Sequence, residues 1–345
     1  MSEGLEVGAA LDPDRFDDTD LRERELSYGR SGFALQFQLD TSLSDSDKYP
    51  LRLRDLTVMD LDLEQGPTEL IWCNDPEKLQ KVPCVGLEGD RFYGPMLIPQ
   101  SYAPYTGSLM FIDPSGRGKD ETAWAIVKML HGKLFLADCG GRRGGYDDDF
   151  LRHLLLLAKK HKVNRIQVEP NFGDGMFAKL LGAHRPQTYM VTIEDAPWAR
   201  VQKEQRIIDT LEPVMNQHRL VVDRGLIERD YESTKSYAAE DQNSYRLFFQ
   251  MTRLTREKGA LRHDDRLDAL AGAVAYWLEN MGRNERQAAY EHKQSLLEAE
   301  LTRHIEHSIG KKIKPGNPTL SSLKTTKNLN LRKVDINQGV TKRRG

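Results

Sequence analysis

The chain has 345 residues, of which 39% are hydrophobic and 30% charged, with a formal net charge of −2. These values suit a globular protein of one large or two ordinary domains, and no run approaches the roughly 18 apolar residues that a membrane span requires. Cys73, Cys84 and Cys139 are odd in number, widely spaced and without a CxxC pair, which excludes a disulfide framework or a zinc site. The first twenty residues lack a basic segment followed by an apolar one, so no signal peptide is expected and secretion is not. Charge is unevenly spread: residues 310–345 hold ten Lys or Arg against Asp335 alone, a net of +9, so the body carries −11. An acidic body with a basic tail fits a tail that meets nucleic acid or an acidic surface, or one that is simply solvated.

Residues 1–50 read as a polar, acidic connector with one short helical pattern around Phe33–Leu39, closed by Pro50. Residues 51–107 suggest short alternating strands, such as "TELIWCN" and "PCVGLEGDRFYGP", between Pro and Gly turns. From Ser108 the pattern sharpens. "SLMFID", "TAWAIVKML" and "KLFLADCGG" are three strands joined by short turns, an antiparallel meander. "YDDDFLRHLLLLAKKHK" then places Phe150, Leu151, Leu154, Leu155 and Ala158 at helical spacing. Strand "RIQVEP", helix "GDGMFAKLLGAHR", strand "TYMVTIED", helix "RVQKEQRIIDTLEPVMNQ", strand "RLVVD" and the apolar helix "HDDRLDALAGAVAYWLENM" follow. This is an α/β domain over residues 108–281, and residues 282–345 form a polar helix with a flexible basic end.

The loop "DPSGRGKD" after the first strand of this domain invites a phosphate-binding reading, but a P-loop requires G-x-x-x-x-G-K-[ST]. Here Asp113 stands where the first Gly belongs and Asp120 where the hydroxyl belongs, and a strand follows instead of a helix. Lys119 is left at most as a phosphate contact. Asp113 instead ends an apolar strand, where a carboxylate can hold a divalent cation or merely start a turn. Glu169 ends "RIQVE" in the same way, so two acids at neighbouring strand ends can face each other. In "RHDDRLDALAGAVAYW", Leu267, Leu270, Ala271 and Val274 form a stripe that packs on a sheet, bringing Asp264, Asp265 and Asp268 to it. Capping accounts for one such acid; the excess calls for a cation or a basic partner. Oxygen donors without a Cys or His cluster select Mg²⁺ or Mn²⁺, and two such ions suit phosphodiester hydrolysis.

"FIDPSGRGKDETAW", "VEPNFGDGMF" and "HDDRLDALAGAVA", in this order, resemble the nuclease domain of phage large terminase subunits, most closely those of short-tailed virulent phages, also called DNA maturase B. "GRSGFALQFQLDTSLSD" resembles the end of the terminase ATPase region, so the likeness runs from about residue 20 to residue 281. The resemblance implies an RNase H-like (RuvC/integrase-like) fold, a mixed sheet with its first three strands antiparallel and flanked by helices. It implies Asp113, Glu169 and Asp265 as catalytic acids, with Asp264 as the alternative third metal ligand. It further implies a Mg²⁺- or Mn²⁺-dependent endonuclease, using two ions, that cuts concatemeric viral DNA at the start and end of packaging in the host cytoplasm and at the procapsid portal. Its partners would be double-stranded DNA, the portal protein, the small terminase subunit and further copies of itself in a motor ring, with no membrane. Arg142, Arg143, Lys203 and Arg206, with Arg253 and Arg256 behind them, would contact DNA phosphates, and the polar loop 232–245 would partly cover the site. No Walker A loop is present, so ATP-driven packaging is expected of a longer parent protein. The rival readings are a non-catalytic portal-docking module and a resolvase or transposase on the same fold.

Overall fold

The computed structural model describes residues 48–97, 99–116, 118–145, 147–170, 175–197 and 201–282, with a few isolated positions before residue 48. The chain divides into units at residues 1–281 and 282–345. The second unit, and with it the expected polar helix and basic tail, lies outside the described residues, as does most of the 1–50 connector.

A seven-stranded mixed sheet carries the fold, in the order β1 (Thr57–Met59), β9 (Leu220–Asp223), β6 (Lys133–Arg143), β5 (Glu121–Leu130), β4 (Gly107–Asp113), β7 (Arg165–Val168), β8 (Thr192–Asp195). The meander β4–β5–β6 is antiparallel as expected, while β7, β8, β9 and β1 add in parallel on its two sides. Parallel additions require crossovers, and helices supply them: α1 (Asp148–Lys160) leads to β7, α2 (Met176–Ala183) to β8 and α3 (Lys203–Asn216) to β9. After β9 come α4 (Arg224–Ser233), α5 (Leu247–Arg253) and α6, over residues 265–282.

Both sheet faces are covered, which explains why β5 reads as a continuous apolar run instead of an alternating one. Side chains nevertheless alternate. Met110 and Ile112 of β4 join Phe150, Leu154, Phe177 and Leu181 from α1 and α2. Leu109 and Phe111 join Ile207, Leu211, Phe248, Leu267, Leu270 and Val274 from α3, α5 and α6. By the same alternation Asp113 faces the α6 side, and so does Glu169, one residue beyond Val168 of β7. Asp147 caps α1, accepting from the Phe150 amide at 2.8 Å, and Lys159 and Lys160 occupy its last turn, each sign placed where the helix dipole favours it.

Two expectations are corrected. "TELIWCN" forms no strand: it has only scattered backbone bonds, Thr68 N to Ser101 O and Met96 N to Ile71 O, and Trp72 stacks on His218 with ring centroids 3.7 Å apart and donates its indole N–H to Arg54 O. The strands in this region are β1 at the sheet edge and an antiparallel pair, β2 (Gln65–Pro67) with β3 (Tyr102–Pro104). Helices α4 and α5 had not been expected. In α4 only Leu226, Ile227 and Asp230 are buried, too sparse an apolar stripe to register as helical periodicity.

The closest approach between α6 and the sheet is at Gly272, where an added Cβ would stand 2.5–2.7 Å from three ring carbons of Phe111. Alanine is ordinarily better than glycine in a helix by about 1 kcal/mol. Here Gly272→Ala is expected to reverse that sign and cost about 1–3 kcal/mol by overpacking, read from chemical denaturation midpoints; a more stable variant would contradict this packing.

Candidate active site

β4 and β7 pair in parallel with Ile112 opposite Val168, so the next residue of each strand, Asp113 and Glu169, emerges side by side. The Glu169 amide donates to Ile112 O at 2.9 Å, which continues the ladder and fixes the spacing. The third acid is Asp268 from the second turn of α6, and one carboxylate oxygen from each of the three lies within 4.8 Å of the others. Asp113 and Asp268 are only 8% and 2% exposed. Burial first, then the charges of Asp268 and Glu169, push the Asp113 carboxyl well above its usual range, with Lys203 acting the other way. Glu169 Oε2 is buried without a hydrogen-bond partner. A buried carboxylate oxygen left bare beside two more acids is the environment a hard divalent cation satisfies.

The acids expected third, Asp265 or Asp264, are not the ones that lie with Asp113 and Glu169. Asp265, at the start of α6, accepts from the Glu121 amide at 3.1 Å and lies in a separate group with Asp120 and His263. Asp264 is held by Lys203 Nζ at 2.9 Å. The reason is helix phase: Asp268 precedes Ala271 and Gly272 by three and four residues and so shares the face that meets Phe111 of β4. That signal was present in the sequence as an acid inside the apolar stripe, but Asp264 and Asp265 at the helix start obscured it.

The basic residues expected along DNA fall into two groups. Lys203 and Arg206, three apart on α3, point into the acids: Lys203 Nζ lies 3.0 Å from Asp268 Oδ2, and Arg206 Nη2 lies 2.8 Å from Asp268 Oδ1 and 3.8 Å from Glu169 Oε1. Burial opposes the Lys203 charge, yet Asp268, Asp264 and Asp113 outweigh it and drive its pKa upward. The excess acid at the start of α6 thus has the basic partners that its charge called for. Arg142 instead pairs with Asp147 at 2.6 Å on the surface. The Arg143 guanidinium lies 4.0 Å from the ring centroids of both Tyr237 and Tyr245, which meet edge to face. Arg256 pairs with Asp209 and Glu212, and Arg253 lies over Phe249.

Sequence reasoning missed a buried ion network beside the site. Arg266, fully buried, donates to Glu121 at 2.8 and 3.0 Å and to Asp230 at 2.9 Å, joining α6 to β5 and α4. Tyr237 donates its hydroxyl to Glu121 at 2.6 Å and Tyr245 donates to Lys119 O at 2.8 Å, so the 232–245 segment is fastened to the β4–β5 connection.

Residues 112–220 match the family model described as Terminase Bacteriophage T7, Ribonuclease H-like domain. That stretch is similar to a terminase RNase H-like domain. The matched stretch contains Asp113, Glu169, Lys203 and Arg206, whereas Asp268 lies beyond it. The chain is 42% identical over 312 residues to the large terminase subunit of Enterobacteria phage T3, an alignment covering 90% of this chain and 52% of the relative. It therefore spans about half the length of that relative. Among solved structures, the human cytomegalovirus terminase nuclease domain, soaked with Mn and bound to an inhibitor, is 12% identical with a TM-score of 0.37, over 50% of this chain and 82% of that one. The large terminase nuclease of thermophilic phage G20c is 17% identical with a TM-score of 0.31, over 49% and 81%.

Two measurements check this domain's electrostatics. Arg266→Met leaves Glu121 and Asp230 buried and unpaired, and a loss of about 3–5 kcal/mol of stability is expected; a loss near zero would show the network to be dispensable. Burial, partly offset by the Glu121 amide and Lys203, raises Asp265 to about 7. A folded-state pKa above the unfolded value means that the folded protein holds its proton longer, so stability falls as pH rises from about 4 to about 7. In chelator, urea denaturation across that range should show Asp265→Asn removing part of this fall; parallel profiles for the two proteins would exclude it.

Proposed function

We propose that this domain is a metal-dependent DNA endonuclease of a viral genome-packaging motor. The observation that carries the reading is the convergence of Asp113, Glu169 and Asp268 from two adjacent strand ends and a helix, with Glu169 Oε2 buried and unpartnered. A purely structural acid cluster would be expected to have its oxygens paired.

The donor set is all oxygen, which suits Mg²⁺ or Mn²⁺. Asp113, Glu169 and Asp268 would hold such ions, two in the reading from sequence, and bound metal supplies an activated water and stabilises the leaving oxygen of a phosphodiester. The protein's own contribution is rigidity and charge. Asp113 and Glu169 are fixed by the backbone pairing of two neighbouring strands, and Asp268 by a helix whose apolar face is buried on that sheet. Arg206 bridges Asp268 and Glu169 and keeps them close despite their like charges. The charged head groups of Lys203 and Arg206 stand at the acids, where they would lower the repulsion between the site and an incoming DNA phosphate.

The proposed substrate, from the family resemblance of the sequence motifs, is concatemeric double-stranded DNA, cut at the start and end of packaging. The portal, the small subunit and other copies of the motor protein are the proposed partners, and host cytoplasm and procapsid portal the proposed places of action. Plasmid digestion in Mg²⁺ or Mn²⁺ tests the enzyme directly. Asp113→Ala, Glu169→Ala and Asp268→Ala should each lower cleavage roughly 100-fold or more, with wild-type cleavage falling steeply with salt. Cleavage that survives Asp113→Ala combined with Glu169→Ala would remove this site from consideration.

A further inference from the structure

Asp268 is the crowded member of the cluster. Its Oδ1 accepts from Arg206 Nη2 at 2.8 Å, and its Oδ2 lies 3.0 Å from both Arg206 Nη2 and Lys203 Nζ. Both oxygens are thus taken by cationic donors, and the side chain is 2% exposed. A divalent ion that takes Asp268 as a ligand must therefore share its oxygens with two cations and work against their charge, unless one of these donors gives way.

Lys203 is the donor able to do so. Its side chain is 37% exposed against 23% for Arg206, and it extends on a flexible four-carbon stem from the first residue of α3. Lys203 Nζ also already stands 2.9 Å from Asp264 Oδ1, a carboxylate nearer the surface than Asp268. Releasing Asp268 therefore leaves the ammonium still paired. Arg206, by contrast, joins Asp268 to Glu169 and would separate two ligands if it moved.

Charge leads the same way. With all carboxylates ionised, Asp113, Glu169, Asp268 and Asp264 place four negative charges here, and Lys203 and Arg206 place two positive ones. One divalent ion balances the remainder. A second cation in the pocket is favourable only when Lys203 has withdrawn or a DNA phosphate has arrived.

We propose that Lys203 is a displaceable counter-cation that competes with divalent metal for Asp268, and that Asp264 is the carboxylate to which it withdraws. The idea rests on the reading of Asp113, Glu169 and Asp268 as a metal pocket. Lys203 is in this sense a positioning residue: it sets how readily the pocket loads in the absence of DNA and so restrains cutting. The doublet Asp264-Asp265 acquires a division of labour, with Asp264 serving Lys203 and Asp265 the Glu121 amide.

The test is Mn²⁺ binding to the full chain without DNA, followed by calorimetric titration, in wild type, Lys203→Gln, Asp264→Asn and the double variant. Lys203→Gln should bind Mn²⁺ roughly tenfold more tightly. Asp264→Asn should bind more weakly, because Lys203 is confined to Asp268, and the double variant should behave as Lys203→Gln alone. Lys203→Met is measured alongside, and the rise in Tm on adding Mn²⁺ is recorded for each protein, with a larger rise expected for both lysine variants. An unchanged or weaker affinity in Lys203→Gln and Lys203→Met overturns the proposal. So does an Asp264→Asn penalty that persists in the Lys203→Gln background, since Asp264 would then be a ligand itself. Asp113→Asn separates the levels: if it leaves wild-type Mn²⁺ binding intact, the metal pocket itself is wrong and the proposal falls with it, whereas binding lost in Asp113→Asn but indifferent to Lys203 overturns only the competition.

Discussion

The buried guanidinium of Arg266 is the constraint around which the domain is arranged. It is fully enclosed and satisfied by Glu121 at the start of β5 and Asp230 on α4. A buried charge of this kind tolerates little displacement, because each lost contact leaves an ion without solvent. The consequence is geometric: the first turn of α6 is held against β5, and Asp268, two residues further on, is delivered to Asp113 and Glu169. Glu121 also receives the Tyr237 hydroxyl, and its amide donates to Asp265, so one residue ties the 232–245 segment, the meander and α6 together.

Around the acids the decisive quantity is unbalanced charge. Several carboxylates with little solvent raise one another's proton affinity, as Asp113 shows. Lys203 and Arg206 answer this from α3, which explains why two basic residues that a reading of the sequence assigns to a DNA-facing surface are found inside the acid cluster. The same residues can serve both ends, since cations that neutralise carboxylates before substrate arrives are already placed for a phosphate afterwards. Arg142 and Arg143 are different: one is on the surface with Asp147, the other against two tyrosine rings that meet edge to face.

Much of this was legible in the sequence for specific reasons. Asp113 and Glu169 stand out because each terminates an apolar strand before a turn, and period-two alternation puts both on the face opposite Ile112 and Val168. The meander and its three crossover helices followed from hydrophobic spacing and turn residues. Asp268 was less visible because three acids within five residues share one helix start, and the phase that separates them depends on how α6 lies on β4. The edge strand β1 was missed because its three residues pair with β9, more than 160 positions later, and bridge to Tyr93, neither of them a local signal.

What the sequence determined by itself was the meander with its crossover helices, the two strand-end acids and the family likeness that the match over residues 112–220 bears out. These depend on local periodicity and short motifs, which are readable without knowing where anything folds. Tertiary structure alone decided the third acid, the partners of Lys203 and Arg206 and the buried Arg266 network, because each depends on the rotation of one helix against a sheet. Such rotations are set by contacts between residues far apart in the chain, Gly272 on Phe111 and Arg266 on Glu121 among them, and no local pattern records them.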